Sequence, residues 1–196
     1  MKTKIYDVST CEEALELAAI DFGVDKEELD ASKVDGGVEV ITIADGVDKA
    51  KAYLQSILDA FGAKGYIEKM TRGNTIEFNV DVKDMNGVFI GKNSKHLLAI
   101  QTLLNIIANK YYSDEEQKTI LLDVGRYRKR REATLEKMAV DFAKQVVKTK
   151  QVIKLDNLNA YERKIIHDKL STWNNVTTHS EGEEPNRCLL IEYNPK

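Results

Sequence analysis

Residues 159–170 read NAYERKIIHDKL and residues 179–191 read HSEGEEPNRCLLI, two stretches that predict a helix and, after it, a strand. Arg163 and His167 are four residues apart in the first stretch, and side chains at this spacing share one face of a helix. We therefore expect a permanently charged guanidinium and a titratable imidazole to point at the same place in solvent. Such a place suits a phosphate group.

A second stretch suited to phosphate lies upstream, at Gly91-Lys92-Asn93-Ser94, after a short apolar segment and before a strongly apolar helix. Glycine lets a backbone approach a phosphate closely, the start of the following helix presents free N–H groups, and lysine adds charge. Ser94 is also a residue type that caps helices. The same four residues fit a plain turn between two helices, with Gly91 as the stop and Ser94 as the cap.

The composition is that of a globular protein: 196 residues, 42% of them hydrophobic and 31% charged. No apolar run approaches the roughly 18 residues of a membrane helix, and the N-terminus lacks the pattern of a signal peptide. We expect a cytoplasmic protein that does not insert into membranes. Cys11 and Cys188 have no metal-ligand spacing, and the acidic residues form no ligand pattern. We therefore expect no metal, no cofactor and no enzymatic activity.

Charge is unevenly distributed along the chain. The formal net charge is -3, but residues 1–50 hold 5 Lys/Arg and 13 Asp/Glu, whereas residues 126–154 hold 10 Lys/Arg and 3 Asp/Glu. The basic segment is a candidate footprint for a phosphate backbone. The alternative is a solvated helix face, which is the commoner meaning of a charge run.

The periodicity predicts an α+β fold made of three small α+β units, with boundaries at residues 1–46, 47–125 and 126–196. In the first unit we expect a strand at IYDV, a helix from Cys11 to Phe22 capped by Ser9 or Thr10 and stopped by Gly23, and a strand at VEVITIA. In the second we expect a helix over 47–61, a hairpin of YIEKM and TIEFNV, a helix after GKNS, and a strand at TILLDV. In the third we expect a long basic helix to Lys148, a strand at QVIKL, a helix over 158–170 and a strand over 188–193.

The middle unit resembles a type II KH domain, because its elements follow the order helix, strand, strand, helix, turn, helix, strand, with GKNS joining two helices. The resemblance implies a GxxG-type loop that holds about four nucleotides of a single strand. Gly91 and Lys92 match that loop. Ser94 stands where the family has its second glycine, which implies a weakened clamp.

The last unit resembles the family of small domains named for an arginine and a histidine separated by three residues. The residues that carry this resemblance are Asn159, Ala160, Glu162, Arg163, His167, Ser180, Gly182, Glu183, Pro185 and Arg187. Upstream, DVGRYRKRR resembles the junction between KH and RxxxH domains, so the chain as a whole resembles the bacterial Jag/KhpB family, with a Jag-N-like first unit. The resemblance implies binding of single-stranded RNA or single-stranded DNA. It also implies a small stand-alone KH protein as partner, and a role in regulating transcripts connected with cell envelope and division.

From these patterns we predict one set of nucleic-acid-binding residues: Gly91, Lys92, Asn93, Ser94, Arg126, Arg128, Arg130, Arg131, Arg163, His167 and Arg187. Arg163 would hold a phosphate through its fork of donors, and His167 would add a hydrogen bond or, when protonated, a charge. Binding should then tighten at mild acidity. Two alternatives stay open: an Arg163 stem that packs on a partly buried histidine, and a protein-interaction scaffold with weak or lost RNA affinity. Tyr127 and Trp173 are candidates for stacking on bases.

Overall fold

Three small β-sheets, each of three strands, carry the fold. The computed structural model describes residues 1–195 and divides into two compact units, residues 1–125 and the part from residue 126 onward. Helices and mostly antiparallel strands share each part of the chain, which confirms the predicted α+β class. The predicted boundary between a first and a second domain at residues 46/47 stays a prediction, because residues 1–125 form one unit.

The N-terminal sheet is built from residues before position 43. Its elements are β1 (Thr3–Tyr6), α1 (Cys11–Phe22), β2 (Leu29–Val34) and β3 (Gly37–Thr42). The strand order is β1-β3-β2, with both pairings antiparallel. The start of α1 is capped by Thr10, whose side chain accepts from the Glu13 amide, and the helix ends at Gly23 in the left-handed conformation with φ +68°. Both ends of α1 therefore follow the prediction.

The middle of the chain has the predicted order of elements. These are α2 (Gly46–Ala60), β4 (Tyr66–Arg72), β5 (Thr75–Asp81), α3 (Asn86–Ile90), α4 (Lys95–Asn109) and β6 (Thr119–Val124). Strands β4 and β5 form an antiparallel hairpin, and β6 pairs with β5 in parallel. Alternate residues of β5 are buried, Ile76, Phe78 and Val80, and they face the apolar side of the helices. The GKNS loop thereby lies between α3 and α4.

The end of α4 is tied to the N-terminal sheet by the two tyrosines that follow it. Tyr111 is buried in the core of the N-terminal sheet, and its hydroxyl donates to Glu28 Oε2 at 2.7 Å. Its backbone oxygen accepts from the buried Thr42 hydroxyl at 2.9 Å. The Tyr112 hydroxyl donates to Asp45 Oδ1 at 2.6 Å. Residues 1–125 therefore share contacts that neither predicted domain could make alone.

The second unit has two helices packed on one sheet. Its elements are α5 (Tyr127–Thr149), β7 (Ile153–Leu155), α6 (Ala160–Leu170), β8 (Val176–Glu181) and β9 (Cys188–Tyr193). The order is β7-β9-β8, antiparallel throughout. Four residues of α5 at helical spacing, Leu135, Ala139, Ala143 and Val146, meet Ile166 and Leu170 of α6 in the core. No helix within residues 1–195 is long and apolar enough to cross a membrane.

Candidate nucleic-acid interface

The GKNS loop turns sharply between α3 and α4 by using positive φ angles at three of its four residues. Gly91 has φ +71°, Asn93 φ +53° and Ser94 φ +56°. A Cβ at Gly91 would lie 2.5 Å from the Cγ atom of the His96 ring, so only glycine fits there. The His96 ring is held in place because its Nδ1 atom lies 2.7 Å from the Val88 carbonyl oxygen. Lys92, at the tip, is exposed.

Ser94 does not cap α4, contrary to the expectation from its residue type. Its side chain is buried and its hydroxyl donates to the Asn93 carbonyl at 2.7 Å, while no side chain caps the helix start. The left-handed backbone explains this, because a capping serine needs an extended conformation to reach the amides of the first turn. The amides at the start of α4 are therefore left without a side-chain partner from Ser94.

The four arginines of the junction have different surroundings. Arg126 precedes α5 in the left-handed conformation and is exposed, as is Arg130. Arg128 is half-buried and makes interactions within the protein. The Nε atom of Arg131 donates to Glu162 Oε1 at 2.7 Å, and the Glu162 side chain is only 5% exposed. The charge of Arg131 is thus used to hold α5 against α6.

The start of α6 is closed by a reciprocal pair of hydrogen bonds. The Asn159 side chain accepts from the Glu162 amide at 2.9 Å, and Glu162 Oε2 accepts from the Asn159 amide at 3.0 Å. This is a capping box, which satisfies two donors at the helix start. Because Glu162 Oε1 also accepts from Arg131, one buried carboxylate connects the start of α6 to α5.

Arg163 does not point into solvent, so the expectation that it shares an open face with His167 is wrong. Its side chain is 7% exposed, Nη1 donates to the Leu158 carbonyl at 2.8 Å, and Nη2 donates to Glu184 Oε1 at 2.7 Å. The reason is the β8–β9 connection, whose Glu184 covers the guanidinium. Arg163 therefore joins the start of α6 to that connection.

His167 lies on the exposed side of α6 and meets β8 rather than Arg163. Its Nδ1 atom is 2.6 Å from the Thr178 hydroxyl oxygen. Arg187, three residues beyond Glu184, is exposed, and so is Lys164 next to Arg163. His179 also lies on β8, with Nδ1 3.8 Å from Glu192 Oε2. His167 and Arg187 are thus the exposed donors of this surface. Lys164 lines a cleft together with Ile165 and Lys169, on the side of α6 that faces α5.

The structure adds residues to this surface that the patterns did not indicate. Thr178 and Glu184 decide where His167 and Arg163 can point, and both lie on or beside β8, a strand that was not predicted. Residues 180–184, SEGEE, indicated a contribution to the site only through the family resemblance. Within residues 1–195, no group of three or more His, Cys, Asp or Glu side chains is placed to hold a metal ion.

The second unit belongs to a known class of domain, since residues 133–193 match the model of the RxxxH domain family. The chain is 30% identical to RNA-binding protein KhpB of Bacillus subtilis (strain 168), over 93% of this chain and 94% of that protein. It is 38% identical to RNA-binding protein KhpB of Clostridium symbiosum over 74% of this chain and 64% of the relative. For RNA-binding protein KhpB of Streptococcus pneumoniae serotype 2 (strain D39) the identity is 28%, over 92% of this chain and 56% of the relative. The chain belongs to the KhpB family.

Proposed function

We propose that this protein binds single-stranded RNA, or single-stranded DNA at the same surfaces, and performs no catalysis. The observation that carries the proposal is the surface beside α6. Hydrogen bonds of Asn159, Glu162, Arg131 and Arg163, of which Glu162 and Arg163 are buried, hold the start of the helix, while His167 and Arg187 stay exposed. A rigid frame with exposed donors can grip a flexible anion at low entropic cost. The names of the relatives and the match to the RxxxH domain family support the same ligand.

The predicted binding residues take two kinds of role in this proposal. Arg126, Arg130, His167 and Arg187 are exposed and would contact the ligand, with phosphates as their main targets. Arg128 is half-buried and interacts within the protein, so it would support its neighbours. Arg131 and Arg163 are positioning residues, because their donors are already engaged by Glu162 and Glu184. Within the RxxxH pair, Arg163 therefore fixes the position of α6, and only His167 contacts the ligand.

The loop of Gly91, Lys92, Asn93 and Ser94 provides the second contact. Lys92 supplies charge at the tip, and the start of α4 supplies amides and the positive end of its dipole. Ser94 adopts the left-handed conformation that glycine adopts without strain. We infer a working loop in which Ser94 leaves the backbone less free to adjust to a strand than a glycine would.

The cellular role follows from the family and not from the geometry. We propose that the protein acts with a small stand-alone KH protein to regulate transcripts connected with cell envelope and division. The acidic first 50 residues, which carry 13 Asp/Glu, are suited to contact a protein rather than RNA.

The test is a fluorescence anisotropy titration of labelled single-stranded RNA and DNA at several salt concentrations. Each phosphate contact should contribute roughly 0.7 to the slope of log affinity against log salt. Lys92→Asp and Arg187→Asp should weaken binding and flatten the slope, whereas Lys33→Asp, an equal charge change at an exposed residue of β2, should do neither. Failure of the folded wild-type protein to bind any unstructured oligonucleotide at low salt would contradict the proposal.

A protein-interaction scaffold is the second candidate, favoured by one observation. Glu184 neutralises Arg163, so this buried cation of the second unit is not open to a ligand. A scaffold would form a stable protein complex whose affinity is unaffected by Lys92→Asp and Arg187→Asp. The titration above separates the two candidates, because the scaffold would show no salt-dependent binding of RNA.

A further inference from the structure

One side of α5 carries an alternating row of apolar and basic residues. The row is Ala133, Lys137, Val140, Lys144 and Val147, spaced by four, three, four and three. This spacing keeps all five on one stripe of a helix. The stripe is distinct from the buried stripe that contains Leu135, Ala139, Ala143 and Val146, because each of its members is exposed or half-buried.

The stripe lines two neighbouring clefts that meet at Lys144. The first, of about 460 Å³, is lined by residues from Ala133 to Lys144 and by Lys169 of α6. The second, of about 530 Å³, is lined by Lys144, Val147, Thr172, Trp173 and Asn174. We call the two clefts together the α5 groove. A volume of this size lies within the range of pockets that hold small organic ligands.

Trp173 closes one end of the α5 groove. The residue is half-buried: its side chain packs against the core of the second unit and also lines the cleft. Its amide donates to the Leu170 carbonyl at 3.0 Å, which fixes the turn after α6. The neighbouring Thr172 and Asn174 are exposed and carry side-chain donors and acceptors. An aromatic wall with hydrogen-bonding groups beside it is what a nucleobase requires.

The charge of the groove favours an anion. Lys169 forms an ion pair with Glu136 at 2.9 Å, so these two charges offset one another. The other charged residues of the lining are Lys137, Lys144 and Asp141. Within residues 1–195, neither Lys137 nor Lys144 forms an ion pair with a carboxylate. Two available lysines thus alternate with apolar side chains along the groove.

The α5 groove is a different surface from the one that carries His167. Lys169 and Ile165 of α6 face α5, whereas His167 meets Thr178 on β8. Successive residues of an α-helix turn by about 100°, so Ile165 and His167 point roughly in opposite directions. A strand held at His167 therefore needs a separate contact to use the groove.

We propose that the α5 groove is a binding site for one or two nucleotides of a single strand, with a nucleobase in the cleft at Trp173 and phosphates on Lys144 and Lys137. The alternation of apolar and basic residues matches a polynucleotide, in which bases and phosphates also alternate. This inference rests on the proposed function and adds a base contact to it. Stacking on Trp173 would then contribute affinity in addition to that of the charged residues.

The chain contains a single tryptophan, so the intrinsic fluorescence reports on Trp173 alone. The experiment titrates the protein with an unlabelled uridine 12-mer and, separately, with a 12-mer in which every base is replaced by an abasic site. Anisotropy of labelled copies is followed in parallel. We expect the uridine strand to quench or shift the fluorescence and the abasic strand to leave it unchanged at equal occupancy.

Variants supply the second measurement. Trp173→Ala and Lys144→Glu should each weaken binding of the uridine strand by roughly 5- to 100-fold, the range that loss of one stacked base or of its phosphate contact produces. Lys33→Glu, an equal charge change at an exposed residue of β2, should change affinity by less than about 3-fold at 0.15 M salt. Because Trp173 contacts the core, Lys144→Glu provides a test that does not touch the packing.

The outcomes separate the two proposals. Rising anisotropy with unchanged Trp173 fluorescence, or with unchanged affinity of Lys144→Glu, overturns the groove and leaves RNA binding in place. Equal quenching by the abasic strand overturns the base contact. Stronger quenching by polyglutamate than by the uridine strand overturns the groove as a nucleotide site and assigns it to acidic peptide. No anisotropy change with any strand overturns both proposals.

Discussion

At the scale of the residue, Arg163 shows how a motif can be correctly located and still be misjudged. Helical spacing correctly put Arg163 and His167 on α6, but spacing says nothing about what covers a side chain. Glu184, 21 positions later, covers the guanidinium, and no local pattern indicated that contact. The His167 ring stays exposed, with its Nδ1 atom beside the Thr178 hydroxyl.

Arg163→Ala should lower the free energy of unfolding of the second unit by about 2 kcal/mol or more, because it leaves the Leu158 carbonyl unpaired and removes a charge-assisted bond to Glu184. Urea unfolding followed by Trp173 fluorescence measures this. Lys164→Ala, at the exposed neighbouring residue, is the control and should shift stability by less than about 0.5 kcal/mol. Equal stabilities of the two variants would refute a positioning role for Arg163.

Ser94→Gly should raise the stability of the first unit by up to about 1 kcal/mol and tighten RNA binding. The serine has φ +56°, which glycine tolerates better, and glycine gives the loop backbone more freedom to adjust to a phosphate. Asn93→Gly, at φ +53°, is the matched control and should gain less, since asparagine tolerates the left-handed conformation. Urea unfolding monitored by circular dichroism and an RNA titration test both parts. Weaker RNA binding by Ser94→Gly would contradict the inferred role of the loop.

His167→Ala should weaken RNA binding at constant pH, because it removes an exposed ring whose Nδ1 atom lies 2.6 Å from the Thr178 hydroxyl oxygen on β8. His179→Ala, at another exposed histidine of the same unit, is the matched control and should bind RNA like the wild type. Fluorescence anisotropy with labelled RNA measures both affinities. Equal affinities of His167→Ala and the wild type would count against a contact role for His167.

At the scale of the element, the helices were predictable and two strands were not. Helices α1, α2 and α4 are indicated by apolar residues at helical spacing and, in α1, by Thr10 and Gly23 at the ends. Strands β2 and β8 read LDASKV and VTTHSE, and each buries one residue, Leu29 or Val176. They are strands because they pair with β3 and β9, whose apolar character is strong. Tertiary pairing overrides weak local preference at both places.

The link between Asp45 at the start of α2 and Tyr112 after α4 predicts how stability depends on pH. Burial opposes ionisation of Asp45, but hydrogen bonds from the Tyr112 hydroxyl and the Val47 amide lower its pKa. A lowered folded-state pKa stabilises the fold above the unfolded value, near pH 4, and this stability is lost as the pH falls. Burial and then the hydrogen bond to Asp45 raise the pKa of Tyr112 to about 12, so stability is also lost as the pH rises from 10 towards 12.

Tyr112→Phe should therefore weaken the dependence of stability on pH at both limits. The measurement is thermal unfolding by circular dichroism from pH 3 to 6 and from pH 9 to 11. Tyr66→Phe, at a side chain that is 78% exposed, is the matched control and should follow the wild type. A Tyr112→Phe profile that coincides with the wild type would show that the Asp45–Tyr112 link carries no stability.

At the scale of the whole molecule, the sequence predicted the class, the order of elements from α2 to β6 and the basic segment, but not which cations are available. Residues 126–154 have a surplus of positive charge, yet Arg131 is engaged by Glu162. Conversely, the α5 groove could not be foreseen, because its clefts depend on where Trp173 and α6 lie against α5. Charge counting finds the segment, and only packing separates binding residues from structural ones.

Two contact surfaces on one chain predict a dependence of affinity on RNA length. A strand that reaches both the GKNS loop and the His167 surface binds the second contact intramolecularly, with a gain of roughly 10²-fold or more over a short strand. Lys92→Asp should remove that gain for long strands and change affinity little for strands that occupy the His167 surface alone. Anisotropy with oligonucleotides of 4 to 24 nucleotides measures both. An affinity that is independent of length would mean that the surfaces hold separate strands.

The burial of Tyr111 in the core of the N-terminal sheet limits which fragments of this protein we expect to fold. A fragment that starts at residue 47 would lack the residues that bury the Tyr111 ring. It would also lack Thr42 and Glu28, which form hydrogen bonds with Tyr111. We expect such a fragment to aggregate. Its failure to bind RNA would then be attributed wrongly to the GKNS loop. Protein fragments made to study the GKNS loop should therefore include residues 1–46.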